Sequence, residues 1–292
     1  MFPVKRVPSL SIAIPASLVS DIPHLREKTH RIGQIGRAAA IFRVDEIVVY
    51  LDQHQNQSTE VNFIKTILSY METPQYLRKY LFTLQPELKY AGILPPLRTC
   101  HHPTARFIKD LKVGDFREGF VVKSKNGVSS IDIGIEKYAI IEHEIKSGRR
   151  VTVEIVGFEN QTPMIRLVDP KEIKLYWGYH VTFSSRRLGQ YIKGGKYDLI
   201  LATSKYGKNM VGLLSEMRER WSSSNNVLIA FGSPTEGLRE ILKRENIEVE
   251  EVADFVVNTI PLQGTETVRT EEAMYASLAA LNLLMGGECS GS

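Results

Sequence analysis

The sequence is poor in cysteine and contains no long apolar run. Only two of its 292 residues are cysteines, Cys100 and Cys289, which is too few for a disulfide framework and typical of a protein from a reducing compartment. No stretch approaches the roughly 18 consecutive apolar residues of a membrane-spanning helix. The N-terminal segment is short of apolar length and is interrupted by prolines. We therefore expect a soluble, cytoplasmic protein with no membrane partner.

Several motifs of common enzymes are also missing. No GxGxxG follows the first predicted strand, no glycine-rich loop ends in GK[ST], and no GxSxG turn is present. These absences argue against a conventional dinucleotide site, a Walker-type NTPase and a serine hydrolase. Cys100, His101 and His102 are of the types that bind zinc, but adjacent histidines rarely meet tetrahedral geometry, and no CxxC or HxxxH supplies partners. We therefore expect no metal site.

Acidic residues dominate only the C-terminal third. The formal net charge of +4 and the sequence pI near 8.9 permit nucleic acid as a partner without requiring it. Residues 98–190 contain 16 Lys and Arg against 11 Asp and Glu, whereas residues 191–292 contain 10 against 14. The positive excess therefore lies outside the C-terminal third.

Both ends of the chain alternate between apolar runs and helix-length stretches. The predicted strands are 10–14, 46–51, 198–202, 227–231 and 254–258. The predicted helices are 22–42, 59–82 with a break near Pro74, 210–221, 235–245 and 270–285. Continuously apolar strands separated by helices predict an α/β domain whose parallel sheet is covered on both faces.

The middle of the chain has a different texture. Short segments rich in Val, Ile and Thr alternate with turn residues at 117–123, 128–133, 138–141, 150–156 and 164–167. Five short strands of this kind predict a small barrel, with an OB-like fold as the leading candidate. We therefore predict one domain formed by residues 1–97 and 175–292, with residues 98–174 inserted as a second domain.

Three loops, residues 203–207, 232–237 and 259–269, follow the last three predicted strands of the sheet, at the edge where open parallel sheets bind ligands. The second loop, GSPTEG, has a glycine that lets a ligand approach the backbone, and Thr235 is placed to cap a helix with Glu236 in its first turn. Taken alone, this motif is better explained by a glycine turn before a capped helix than by a binding site. The third loop, residues 259–269, is long for a compact domain, and its apolar residues predict that it is packed.

The order of these segments resembles a known family. LATSKYG, VLIAFGSPTEGL and VVNTIPLQGTETVRTEEA, followed by a C-terminal helix, are similar to the cofactor-site segments of SPOUT (SpoU-like and TrmD-like) methyltransferases. Residues 33–49 resemble the first motif of that family. The resemblance covers nearly the whole chain and is greatest to the archaeal and eukaryotic branch of SPOUT RNA methyltransferases with an OB-like insertion. It implies a deep trefoil knot, which no argument from propensities predicts.

The resemblance also implies S-adenosylmethionine as cofactor, held in a cleft by backbone groups of the three loops. The candidate cofactor-binding residues are Thr203, Ser204, Gly232, Ser233, Pro234, Gly237, Asn258, Thr259, Ile260, Leu262, Gly264, Thr267 and Val268. An arginine on the opening helix faces RNA or the partner subunit's site in this family, which makes Arg37 the leading catalytic candidate. Arg269 and Glu271 are weaker catalytic candidates because a helix-cap ion pair explains them as well.

The predicted insert mixes cations with aromatic residues, as single-stranded nucleic acid prefers. The candidate RNA-binding residues are Arg106, Lys109, Lys112, Arg117, Lys123 and Lys125, with Phe107, Phe116 and Phe120 among them. A barrel with core phenylalanines and solvated lysines is the alternative for any single residue. The net charge of the segment favours RNA binding for the domain as a whole.

Two hypotheses of function follow. The first is a homodimeric RNA methyltransferase that acts on a base in ribosomal RNA, with N3 of a uridine as the first choice of target atom. The second is a non-catalytic RNA-binding or ribosome-assembly protein that retains the same fold, because the sequence offers no evident general base. Binding of S-adenosylmethionine or its demethylated product distinguishes the two.

Overall fold

The computed structural model describes residues 3–285 and contains α-helices, a parallel sheet and a closed β-barrel. The strands are β1 (Ser9–Pro15), β2 (Glu46–Leu51), β3 (Phe116–Lys125), β4 (Val128–Asp132), β5 (Ala139–Ile141), β6 (Arg150–Glu159), β7 (Thr162–Leu167), β8 (His180–Arg187), β9 (Leu199–Asn209), β10 (Asn226–Ala230) and β11 (Phe255–Asn258). The α-helices are α1 (Leu25–Ile41), α2 (Ser58–Glu72), α3 (Gln75–Leu81), α4 (Leu188–Ile192), α5 (Leu214–Ser223), α6 (Leu238–Lys243) and α7 (Thr270–Met285). No helix within residues 3–285 is long and apolar enough to cross a membrane.

Six strands form one sheet in the order β11-β9-β10-β1-β2-β8, and every neighbouring pair is parallel. The central strands are buried almost without interruption, as continuous apolar runs such as EIVVYL require when both faces are covered. The predicted parallel sheet is therefore confirmed. The sequence patterns did not predict β8, which is polar and lies at the edge of the sheet.

The other five strands close into a barrel in the order β3-β4-β5-β7-β6. All neighbours are antiparallel except β5 and β7, which pair in parallel. The barrel interior is apolar, with Val121, Ile131 and Val153 fully buried. The predicted small barrel is confirmed.

The chain folds into two compact units. Within residues 3–285, the barrel unit consists of residues 3–5, Tyr70–Pro86 and Leu97–Gly178. The sheet unit consists of Arg6–Ser69, Glu87–Pro96 and residues 179–285. Each unit is thus assembled from three separate stretches of the chain.

A buried carboxylate fastens β2 to its neighbours within the sheet unit. Glu46 is 4% exposed and accepts hydrogen bonds from Ser11 Oγ (2.9 Å), Thr182 Oγ1 (2.9 Å) and Lys196 Nζ (2.5 Å). Burial alone would raise the pKa of this carboxyl, but hydrogen bonds from His180, Lys196 and Ser11 lower it well below its ordinary value. Glu46 also raises the pKa of the His180 imidazole.

Replacing Glu46 by glutamine should lower the free energy of unfolding by about 2 kcal/mol at pH 7, because charged hydrogen bonds are lost. A carboxyl whose pKa is lowered on folding contributes fully above its unfolded pKa of about 4.3, and the contribution disappears as the pH falls. The difference in the free energy of unfolding between wild type and variant should therefore become smaller at acidic pH. Urea denaturation at a series of pH values measures this difference. A difference that stays constant from neutral to acidic pH would show that the charge of Glu46 does not contribute.

Candidate functional site

A cavity of about 360 Å³ opens at the carboxyl ends of β9, β10 and β11. Its volume lies within the range of small-molecule sites, and its position is where open parallel sheets bind ligands. All of its residues belong to the sheet unit. It is lined by Thr203, Ser204, Lys205, Tyr206, Phe231, Gly232, Ser233, Pro234, Thr235, Glu236, Gly237, Arg239, Glu240, Asn258, Thr259, Ile260, Gln263, Glu266, Thr267, Val268, Thr270 and Ala273.

The first wall of the cavity is a bulge within β9. Ala202 pairs with Val256 of β11, whereas Val257 pairs with Lys208, so residues 203–207 project out of the ladder. A Cβ atom on Gly207 would lie 2.7 Å from the carbonyl carbon of Val257, which is too close for any side chain. The bulge therefore closes against β11 only because residue 207 is glycine.

The second wall is the turn after β10. Glu236 N–H donates to Ser233 Oγ (2.9 Å), and Ser233 N–H donates to the Glu236 carbonyl (2.9 Å). This turn occupies the residues predicted to begin a helix at 235, so α6 begins only at Leu238 and the predicted capping role of Thr235 is wrong. A Cβ atom on Gly232 would lie 2.8 Å from the Glu236 carbonyl oxygen, so the turn packs directly against residue 232.

The third wall is the loop between β11 and α7. Asn258 fixes its start: its Oδ1 accepts from Ile260 N–H (2.9 Å), and its Nδ2 donates to the Lys205 carbonyl (2.9 Å). Thr270 Oγ1 fixes its end by donating to the Gly232 carbonyl (3.2 Å). The side chains at both ends of this loop thus connect it to the other two walls.

The floor of the cavity is held by neutral hydrogen bonds. Tyr50 is fully buried, and its hydroxyl donates to the carbonyl of Phe231 (2.7 Å). Burial raises the pKa of the Tyr50 hydroxyl well above its ordinary value, so this group stays protonated. Thr203 Oγ1 donates to the carbonyl of Ala230 (2.9 Å). The floor of the cavity is therefore held together by uncharged groups.

Carboxylates outnumber cations around the cavity. Glu236, Glu240 and Glu266 line it together with Lys205 and Arg239. Glu236 forms an ion pair with Arg244, and Arg239 forms one with Glu250. Neither Arg244 nor Glu250 lines the cavity. Such a lining suits a ligand that carries positive charge better than a phosphate.

Most of the predicted cofactor residues line this one cavity, although their roles stay predictions. Leu262 and Gly264 do not line it. Leu262 is fully exposed with a φ of 57°, and a Cβ atom on Gly264 would meet no atom within 4 Å. The prediction that the apolar residues of this loop all pack is therefore wrong at Leu262, which lies at a turn.

The three catalytic candidates lie outside the lining of the cavity. Arg37 is half-buried on α1 and donates to the carbonyl of Pro96 (3.1 Å). Arg269 is exposed, and its backbone N–H donates to Glu272 (2.9 Å) at the start of α7. Glu271 forms an ion pair with the buried side chain of Arg31 (3.2 Å). The contacts of Glu271 are those of a residue that fastens α7 to α1.

The structure separates the candidate RNA-binding residues into two groups. Arg106, Lys109, Lys112, Lys123 and Lys125 are exposed. Arg117 is 2% exposed, and its guanidinium donates to the carbonyls of Ala105 (3.1 Å) and Ile133 (3.1 Å). Arg117 is therefore a structural residue of the barrel unit, and its prediction as an RNA contact is wrong.

The two adjacent histidines have protein partners. His101 is fully buried, with Thr99 Oγ1 3.1 Å from its Nδ1 and the Glu72 carbonyl 2.8 Å from its Nε2. Burial lowers the pKa of the His102 imidazole to about 3. Residues 3–285 contain no group of three or more His, Cys, Asp or Glu side chains arranged to hold a metal ion.

Sequence reasoning missed several residues that line the cavity. Lys205 and Tyr206 lie in the predicted first loop but were not named as candidates, and Arg239 and Glu240 lie in the first turn of α6. The position of a loop after a parallel strand could have identified the first pair. The second pair depends on where α6 begins, which the turn at Ser233 decides.

Comparisons with known proteins identify the family of the chain. A family model described as "Putative RNA methyltransferase" matches residues 9–281. A "28S rRNA (uridine-N(3))-methyltransferase" of Drosophila melanogaster is 33% identical over 94% of this chain, and the human protein of the same name is 34% identical over 94%. An uncharacterized protein of Haloarcula marismortui is 31% identical over 94% of the chain. This chain covers 61%, 77% and 98% of the three relatives, respectively, so it spans less than two thirds of the Drosophila protein. The chain belongs to this family of RNA methyltransferases.

Proposed function

We propose that the protein transfers a methyl group from S-adenosylmethionine to N3 of a uridine in ribosomal RNA. The observation that carries this proposal is the single cavity formed by the three loops after β9, β10 and β11. The names of the Drosophila and human relatives supply the target atom and the class of RNA.

The residues of the cavity fit the proposed cofactor. Gly232 lines the cavity, and the backbone of the turn packs so closely against it that only glycine keeps this wall in place. Glu240 and Glu266 can attract the positive charges of the sulfonium and ammonium groups. When bound, S-adenosylmethionine supplies a methyl group activated by its sulfonium. Backbone groups of Gly232, Asn258 and Thr267 would hold it.

Arg37 is the proposed substrate-side residue. Methyl transfer to uridine N3 releases S-adenosylhomocysteine and requires loss of the N3 proton to water, and a guanidinium near the base would favour the anionic form of the uracil. Replacing Arg37 by alanine should lower the methylation rate at least about a hundredfold, as for other lost charge-stabilising donors, with cofactor affinity unchanged. Arg26→Ala is the matched control, because Arg26 is an exposed arginine on the same helix. Single-turnover methylation of ribosomal RNA measures both variants, and an active Arg37→Ala protein would remove Arg37 from the mechanism.

We further propose that residues 1–97 and 175–292, which include the whole of the parallel sheet, form a knotted SPOUT domain. The chain leaves β11 at the edge of the sheet and returns, at Thr270, to the loop after β10, and a return of this kind is needed for a knot.

We propose a homodimer in solution. A mass near twice 33.0 kDa by sedimentation equilibrium is the expected result.

The barrel, in residues 98–174, is proposed as an OB-like domain that grips RNA. Its cyclic strand order, with one parallel pair, supports this assignment. The exposed cations Lys109, Lys112, Lys123 and Lys125 support contact with phosphates.

Calorimetric titration with S-adenosylhomocysteine tests the proposal without the RNA. Saturable binding of one ligand per chain is the expected result. Absence of binding at millimolar ligand would contradict the methyltransferase proposal and favour a non-catalytic RNA-binding protein instead.

A further inference from the structure

An exposed tyrosine stands at the rim of the cavity. The Tyr206 side chain is 74% exposed, yet the residue lines the cavity together with the glycine-rich turn. A tyrosine ring in water gives up much of the favourable contact that an aromatic group can make. Its position beside a ligand cavity suggests that a planar partner covers it during function.

The backbone that carries this ring is held firmly. Tyr206 N–H donates to Ser204 Oγ (3.2 Å), and the neighbouring carbonyl of Lys205 accepts from Asn258 Nδ2 (2.9 Å). Gly207 then brings the bulge into contact with Val257 of β11. The ring is therefore presented by a segment that is anchored on both sides.

A cation lies over the ring. Lys205 Nζ is 5.0 Å from the centroid of Tyr206 and donates to the carbonyl of Glu266 (3.3 Å) in the third loop. The lysine thus joins two walls of the cavity and covers part of one face of a ring that is otherwise exposed. In single-stranded nucleic acid complexes, aromatic rings stack on the bases and nearby ammonium groups attract the phosphate backbone.

We infer that Tyr206 is the platform on which the target nucleobase of single-stranded RNA stacks, a positioning role that rests on the proposed methyltransferase function. The ring holds the base at the mouth of the cavity, while Lys205 contributes positive charge beside it. The aromatic face is the essential part of this contact, and the hydroxyl is not.

Two substitutions test the inference. Tyr206→Ala should weaken binding of a fluorescent single-stranded oligouridylate roughly tenfold, because stacking is lost, whereas Tyr206→Phe should bind like wild type. The matched control is Tyr90→Ala, which removes another ring with a neighbouring lysine, Lys89, at 5.4 Å. The control should leave the oligonucleotide affinity unchanged.

Photocrosslinking with an oligonucleotide that contains 5-iodouridine, in the presence of S-adenosylhomocysteine, locates the base directly. A crosslink at Tyr206, mapped by mass spectrometry, is the expected result. Unchanged oligouridylate affinity of Tyr206→Ala, or crosslinks only at other residues, would overturn the inference. A loss of S-adenosylhomocysteine affinity in Tyr206→Ala would also overturn it, because the ring would then belong to the cofactor.

Failure of the proposed function is a separate result. If the wild-type protein does not bind S-adenosylhomocysteine, the methyltransferase proposal fails, whatever the oligonucleotide does. If it binds the ligand normally and the Tyr206 variants behave like wild type, only the assignment of Tyr206 fails.

Discussion

Replacing Gly232 by alanine should weaken binding of S-adenosylhomocysteine at least about tenfold, or about 1.4 kcal/mol. The added Cβ atom would lie 2.8 Å from the Glu236 carbonyl oxygen and 3.2 Å from the Cα atom of Gly237. Both neighbours are backbone, so the side chain cannot be accommodated by rotation of a flexible group. The turn must move, and the cavity wall moves with it.

Gly212→Ala is the matched control for this measurement. A Cβ atom on Gly212 meets no atom within 4 Å, and Gly212 does not line the cavity. This variant should bind S-adenosylhomocysteine like wild type. Thermal denaturation of both variants checks that they are folded. Wild-type affinity in a folded Gly232→Ala protein would show that the cofactor binds elsewhere.

Replacing Arg150 by alanine should lower the stability of the barrel unit by about 3 kcal/mol, because the buried carboxylate of Glu118 and the half-buried carboxylate of Glu72 lose their partner. Arg150 donates to both oxygens of Glu72 (2.6 and 2.8 Å) and to Glu118 (2.6 Å). Glu118, only 3% exposed, also accepts from Trp177 Nε1 (2.5 Å). Burial alone would raise the pKa of the Glu72 carboxyl, but hydrogen bonds from Arg150 and His101 lower it well below its ordinary value.

Hydrogen exchange of peptides from β3 and β6 during urea titration reports the stability of this unit. Arg166→Ala is the control, since the exposed Arg166 side chain pairs with Glu154 within the same unit, and its loss should leave the stability of that unit close to wild type. An Arg150→Ala protein as stable as the control would mean that the carboxylates of Glu72 and Glu118 rearrange or become protonated without a loss of stability.

The central strands of the sheet were predictable because both of their faces are buried, so nearly all of their residues are apolar. The predicted span 46–51 agrees with β2, and 270–285 agrees with α7. β8 was missed because an edge strand with one exposed side need not be apolar, and HVTFSSRR is not. The extension of β9 to Asn209 was missed because its ladder resumes only after a bulge, which depends on contact with β11.

The candidate site was predictable to the extent that it depends on chain order. Loops that follow parallel strands must meet at one edge, so the sequence placed Thr203, Ser233 and Asn258 together. Long-range contacts decided the rest. The burial of Arg117 depends on carbonyls that the barrel brings together, and the choice of Glu271 as ion-pair partner of Arg31 depends on the packing of α7 against α1.

The sheet pairs strands that are far apart in the sequence, and this affects folding during synthesis of the chain. The central strand β1 pairs with β2 on one side and with β10 on the other, where Ser9 lies opposite Asn226. Translation proceeds at about 5–20 residues per second, so one edge of β1 waits roughly 10–40 seconds for its partner. An unpaired apolar strand such as SLSIAIP invites association with other chains during that interval. We expect a nascent chain stalled before β10 to bind chaperones and to aggregate when released without them, whereas a chain released after α7 folds.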